Sequence, residues 1–216
     1  MKRIRLTREQ SRDQTRQRLL DAAQAVFMKK GFVAASVEDI AAAAGYTRGA
    51  FYSNFGSKSA LFLELLKRDH DGIMSRLHSI FDGEASRADM EARLLQYYSE
   101  CYRDNKCFLL WVEAKLQSSR DAKFRAQFNA FIRELLQHTT AYIVAFSERA
   151  GTPLPMPAEQ LALGLTALID GMQFFYTSDP QACGSEMSEA VLAKFSAEWC
   201  SEPTWSEARS GELNAA

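Results

Sequence analysis

Residues 36–58 constrain the fold more tightly than any other stretch, because they place two helix starts and a glycine stop within a short run. Ser36 is a good N-cap, and Asp39, three residues on, completes a capping box in which Glu or Gln would be more usual. Ile40, Ala41 and Ala44 then give a small apolar face that another helix can approach closely. Gly45 supplies the left-handed backbone on which helices end. Thr47 can cap a second helix carrying Arg48, Gly49, Ala50, Phe51, Tyr52, Ser53 and Asn54. Two short helices joined by a glycine turn make a helix-turn-helix, the arrangement whose second helix enters the major groove of duplex DNA.

The rest of the chain reads as helices around that unit. A basic arm over residues 1 to about 10 leads into a helix from Ser11 or Thr15 to Lys30, where Gly31 stops it. Ser57 caps a long helix in which Leu61, Phe62, Leu65, Leu66, Ile73, Leu77, Ile80 and Phe81 recur at three- and four-residue steps until Asp82-Gly83. Further helices are expected over 86–104, over a short apolar segment from Cys107 to about Gln117, over 121–150, over 158–177 and over 185–200. The one proline-rich stretch, 151–157, is a loop. No strand pattern, internal repeat or low-complexity run is visible, so the fold class is all-α. The expected domains are a DNA-binding head over 1–56 with its basic arm, a ligand-binding and dimerisation domain over 57–202, and a disordered tail over 203–216.

Charge sharpens this division. The net charge of −1 hides 11 Lys/Arg against 5 Asp/Glu in residues 1–58, and 15 against 22 in the remainder. The front end suits a polyanion and the rest does not. The arm can contact phosphates or the minor groove; a frayed, solvated tail is the plainer alternative. No apolar run is long enough to span a bilayer, and the basic N-terminus is followed by no hydrophobic segment, so cytoplasm is the expected compartment. Cys101, Cys107, Cys183 and Cys200 lack metal-ligand spacing and read as reduced, partly buried hydrophobes, with redox sensing as the minor alternative. His70, His78 and His138 are scattered, and no metal site or cofactor is expected.

Ile40-Ala41, Ala44-Gly45, Thr47-Arg48-Gly49, Phe51-Tyr52, Phe55 and Ser57-Lys58 resemble the N-terminal signature of the tetracycline-repressor (TetR-type) transcriptional regulators. The likeness covers roughly the first sixty residues. Tyr46 stands where a small aliphatic residue is commoner, and Ser53-Asn54 where a histidine often precedes the phenylalanine. These departures bear on the DNA sequence read rather than on the fold.

Helix geometry turns Phe51 and Phe55 toward the head's core and Arg48, Gly49, Ser53 and Asn54 away from it. Arg48 lies at the helix N-terminus, where side chains reach base edges, and arginine on guanine is the commonest specific contact. Gly49 lets the backbone approach the groove floor. Thr47, Tyr52 and Lys58 suit phosphate contacts, as the resemblance also implies, and Ser36 can offer a hydroxyl or N–H to a phosphate. For Tyr52 the alternative is a core aromatic; for Lys58, a solvated charge.

The resemblance further implies a small-molecule cavity in the second domain, with Tyr98, Trp111, Phe128, Phe131, Met172, Gln173 and Phe175 as candidate lining. Such walls suit a hydrophobic or aromatic inducer, although an aromatic stripe on a helix is more often plain core. Asp170, in an otherwise apolar helix, is a charge at a dimer seam or a polar anchor. The helices near 158–177 and 185–200 are apolar on more than one face, with Gly164, Ala167 and Gly171 allowing a close crossing, so they are expected to pair with a second copy. The expected function is a homodimeric, ligand-responsive repressor on a palindromic operator. An activator or a partner-binding adaptor with the same head is the alternative, and nothing in the sequence supports an enzyme.

Overall fold

Thr7 opens the first helix with a complete capping box. Its side chain accepts from the Gln10 N–H, and the Gln10 side chain accepts from the Thr7 N–H. In this computed structural model α1 therefore spans Arg8–Ala34, beginning several residues before the Ser11 or Thr15 start expected above. The structure describes residues 7–81, 86, 88–90, 92–94, 96–97, 107–181 and 184–199. Most of the basic arm, the Asp82-Gly83 break, Tyr98, Cys101, Cys183, Cys200 and the expected tail lie outside them.

Among the described residues every regular element is helical. After α1 come α2 (Val37–Ala43), α3 (Arg48–Asn54) and α4 (Lys58–Phe81). The described residues of 88–97 are helical. There follow α5 (Phe108–Arg120), α6 (Ala122–Ala150), α7 (Ala158–Ser178) and α8 (Ser185–Trp199). Local chemistry sets most boundaries. Ser57 caps α4 through the Ala60 N–H. Asp121 separates α5 from α6, and its carboxylate accepts from the Lys123 and Phe124 N–H groups at the orphaned start of α6. Gly45 and Gly151 take positive φ where α2 and α6 end. Gly31 also has positive φ, and the helical turn after it is re-aimed rather than continued from α1.

The chain divides into two packing units, Met1–Met74 with Lys106–Phe131, and Ser75–Asn105 with Ile132–Ala216. The first unit thus takes in more than the head expected over 1–56: the front of α4, all of α5 and the start of α6 pack with it. The reason is aromatic. Phe27, Phe32, Phe51, Phe62 and Phe124 are buried, and Phe62 stands at the centre of a cluster. Its ring stacks on Phe32 with centroids 4.4 Å apart, meets Phe27 edge-on at 5.3 Å and stacks on Phe124 at 6.0 Å. Burying rings of this size is the main apolar contribution a small unit can make.

In the second unit Leu165 and Met172 of α7 pack with Leu192 of α8, flanked by Leu168, Ile169, Tyr176 and Phe195. Ile143 of α6 packs with Leu161 and Ala162. A Cβ on Gly164 would meet the Phe195 ring of the same chain at 3.5 Å. That small residue therefore already serves packing within one protomer.

Candidate nucleic-acid interface

The head presents α3 on a rigid mount. Phe51 and Phe55 are buried beneath it. Arg16 of α1 grips its C-terminal end by donating to the Asn54 carbonyl, pairing with both Glu64 carboxylate oxygens, and lying over the Phe55 ring at 4.4 Å. Sequence reasoning missed this clamp, since Arg16 and Glu64 stand 48 positions apart with nothing local to link them. On the entering side, Ser36 and Asp39 close their capping box reciprocally at 3.0 Å in both directions. The Lys30 ammonium, then the Ser36 N–H and hydroxyl, hold the Asp39 carboxyl well below the usual carboxylate range.

The outer surface of α3 carries the expected groups. Thr47 accepts from the Ala50 N–H at 3.3 Å, leaving its own hydroxyl proton to donate. Arg48 is 65% exposed in its side chain, pairs with Glu38 of α2 at 3.0 Å and lies 5.5 Å from the Tyr52 ring centroid. Tyr52 is 45% exposed and rests edge-on against Phe51, so it is not a core aromatic. A Cβ on Gly49 would meet only the Thr47 hydroxyl, at 3.7 Å, which leaves room for a close surface. Ser53 is exposed, with its hydroxyl donating to the Ala50 carbonyl.

Three of the expected contacts are employed differently. Asn54 turns inward: its amide nitrogen donates to the Ala50 carbonyl at 2.8 Å, and its Oδ1 is buried without a hydrogen-bond partner. The Ser36 hydroxyl both donates to and accepts from Asp39. The Lys58 ammonium donates to the carbonyls of Phe32 and Ala35 at 2.7 Å and of Val33 at 3.3 Å, and lies 4.6 Å from the Phe32 ring centroid. Burial pushes its pKa down, with the Glu113 charge opposing. It is therefore neither a solvated charge nor, in this arrangement, a free phosphate ligand.

The candidate ligand-lining residues divide between the units. Trp111, Phe128 and Phe131 belong to the first, where Trp111 stacks on Phe131 at 5.6 Å and its indole N–H donates to Asp69 at 2.8 Å. Met172 and Gln173 are buried in the second unit, whereas Phe175 is 62% exposed. Tyr98 is outside the described residues. Cys107 is buried, accepts from the Gln24 amide at 3.2 Å, and has its pKa pushed up to about 12, by burial first and Asp69 second. Such a thiol stays protonated and unreactive. No group of three or more potential metal ligands occurs among the described residues, and no described helix is long and apolar enough to cross a membrane.

An anchored second helix with an exposed Arg, Tyr, Thr and Gly surface, on a basic three-helix head, defines a helix-turn-helix DNA-binding regulator. Residues 19–65 match the family of bacterial regulatory proteins of the tetR type. The chain is 27% identical over 175 residues to the HTH-type transcriptional regulator TtgR of Pseudomonas putida, covering 78% of this chain and 82% of that one. It is 25% identical over 170 residues to the HTH-type transcriptional activator FasR of Mycolicibacterium smegmatis, covering 78% and 75%. Among solved structures, the SmeT–triclosan complex shares the fold with a TM-score of 0.66 at 24% identity, over 88% of this chain and 93% of that one. Residues 19–65 thus match the tetR-type family of bacterial regulatory proteins, and the relatives that span most of the chain are HTH-type transcriptional regulators.

Proposed function

We propose that this regulator is a homodimeric repressor in the cytoplasm, released from a palindromic operator by a hydrophobic or aromatic small molecule. The observation that carries the DNA half is the surface of α3. Arg48 is held by Glu38 and Tyr52 over two buried phenylalanines, so it stands ready at the helix N-terminus. On this reading Arg48 contacts a base edge, Gly49 admits the groove floor, Ser53 faces the groove, and Thr47 and Tyr52 hold phosphates. Ser36, Asn54 and Lys58 act from behind, by fixing the backbone that presents the others.

The stacked pair of Trp111 and Phe131 and the triclosan complex of a fold neighbour support a hydrophobic ligand. Release follows if the ligand favours a geometry that DNA does not, since equal affinity for both would shift nothing. The activator FasR, a relative of similar identity, keeps activation as the second reading.

Arg48→Ala and Tyr52→Ala separate the two kinds of contact on a duplex from the gene's own upstream region. Losing Arg48 should cost about 1–3 kcal/mol and relax discrimination at one base position. Losing Tyr52 should weaken all sequences alike. Unchanged binding in both variants would remove α3 from the interface.

A further inference from the structure

The backbone from Gly31 through the last turn of α1 to the α2 cap is gripped from two distant parts of the chain. Gly31, at φ 78° and ψ 159°, kinks α1 near its end, and the re-aimed last turn after it forms the short joint that leads to the α2 cap. From α5, the Glu113 carboxylate accepts the Phe32 N–H through Oε2, while its Oε1 lies 2.8 Å from where a Cβ on residue 31 would stand. From the start of α4, Lys58 reaches the Phe32, Val33 and Ala35 carbonyls. An ammonium has three donors, and all three find acceptors here. The Phe32 ring beneath is stacked on Phe62. One carboxylate and one ammonium thus hold successive N–H and C=O groups of a single joint, and the Glu113 charge favours the Lys58 ammonium.

We infer that Lys58 and Glu113 are positioning residues for operator binding, clamping the joint that aims α2 and α3, and that neither touches DNA. The inference rests on the operator-binding reading above. It gives α5 a direct hold on the head, so whatever displaces α5 alters the presentation of Arg48 and Tyr52. A bystander or phosphate-contact role gives opposite signs. A Glu113 that merely sat near the DNA face would repel phosphates, and its removal would tighten binding at low salt. A Lys58 bound to phosphate would, on removal, lower the slope of log affinity against log salt by about 0.9.

The test uses the full chain and a fluorescent duplex carrying the inverted repeat of its own upstream region, with a random-sequence duplex as control. Glu113→Ala should weaken operator binding by about tenfold, the loss expected when a charge-assisted hydrogen bond leaves its partner unsatisfied. Glu113→Gln, which keeps an acceptor for the Phe32 N–H, should recover most of that loss. Lys58→Met should weaken binding with the salt slope unchanged. The double variant Glu113→Ala/Lys58→Met should lose less than the two single losses combined, because both act on one joint. Tighter or unchanged binding in Glu113→Ala, or a salt slope reduced by about 0.9 in Lys58→Met, would overturn the clamp.

Hydrogen exchange at the Phe32 amide gives a readout without DNA. It should be slow in the wild type and in Glu113→Gln, and faster in Glu113→Ala. Equal rates in all three would also overturn the clamp. If the wild type ignored every duplex while these exchange rates differed as expected, the clamp would stand and the operator-binding reading would fall.

Discussion

Replacing Gly31 by alanine would put a Cβ on a backbone at φ 78° and ψ 159°, 2.8 Å from Glu113 Oε1. That backbone region is essentially reserved for glycine, and a side chain there costs about 1–3 kcal/mol. Glu113 must also withdraw, taking its hold on the Phe32 N–H with it. Gly31→Ala should therefore lower the urea midpoint by a corresponding amount with the m-value unchanged. A midpoint equal to the wild type would mean that the joint relaxes freely and that Gly31 is only a helix stop. By contrast, a Cβ on Gly45 would meet nothing within 4 Å, so its φ of 73° alone resists substitution.

The helices were legible where their signals are local. Ser36, Gly45, Thr47 and Ser57 lie within a few residues of the groups they cap, and each cap forms. The start of α1 was not legible, because Thr7 and Gln10 sit in a charged stretch that reads equally well as an arm. Partnerships across elements were hidden for a different reason. Lys58 bonds carbonyls 23 to 26 positions away, and backbone acceptors leave no mark on a sequence. Nothing near Glu113 indicates that its partner is the N–H of residue 32, 81 positions earlier. Helical spacing turns Arg48, Gly49, Ser53 and Asn54 away from the core; Arg48 is exposed accordingly, whereas Asn54, in the last position of α3, turns inward to the Ala50 carbonyl.

At the same scale, α7 and α8 leave Leu163, Phe174, Phe175, Met187 and Val191 exposed. Large apolar side chains grouped on adjacent helices are unusual on a monomer's surface. We expect Leu163→Glu/Phe174→Glu to convert a dimer into a folded monomer by light scattering. A wild-type chain already monomeric at micromolar concentration would remove this face from the dimer account.

The whole molecule carries a basic head and an acidic remainder. On the proposed reading, the head's charge gives affinity for any duplex, and the α3 surface and a second copy give selectivity. In the proposed homodimer, two-fold symmetry requires two half-sites, with heads set about one helical turn apart or a multiple of it. The most direct measurement is a footprint of the wild-type protein on its own upstream region at physiological salt. The account predicts a single protected inverted repeat whose two halves fill together and whose occupancy survives excess random duplex. Protection of one half alone, or equal competition by random duplex, would contradict it.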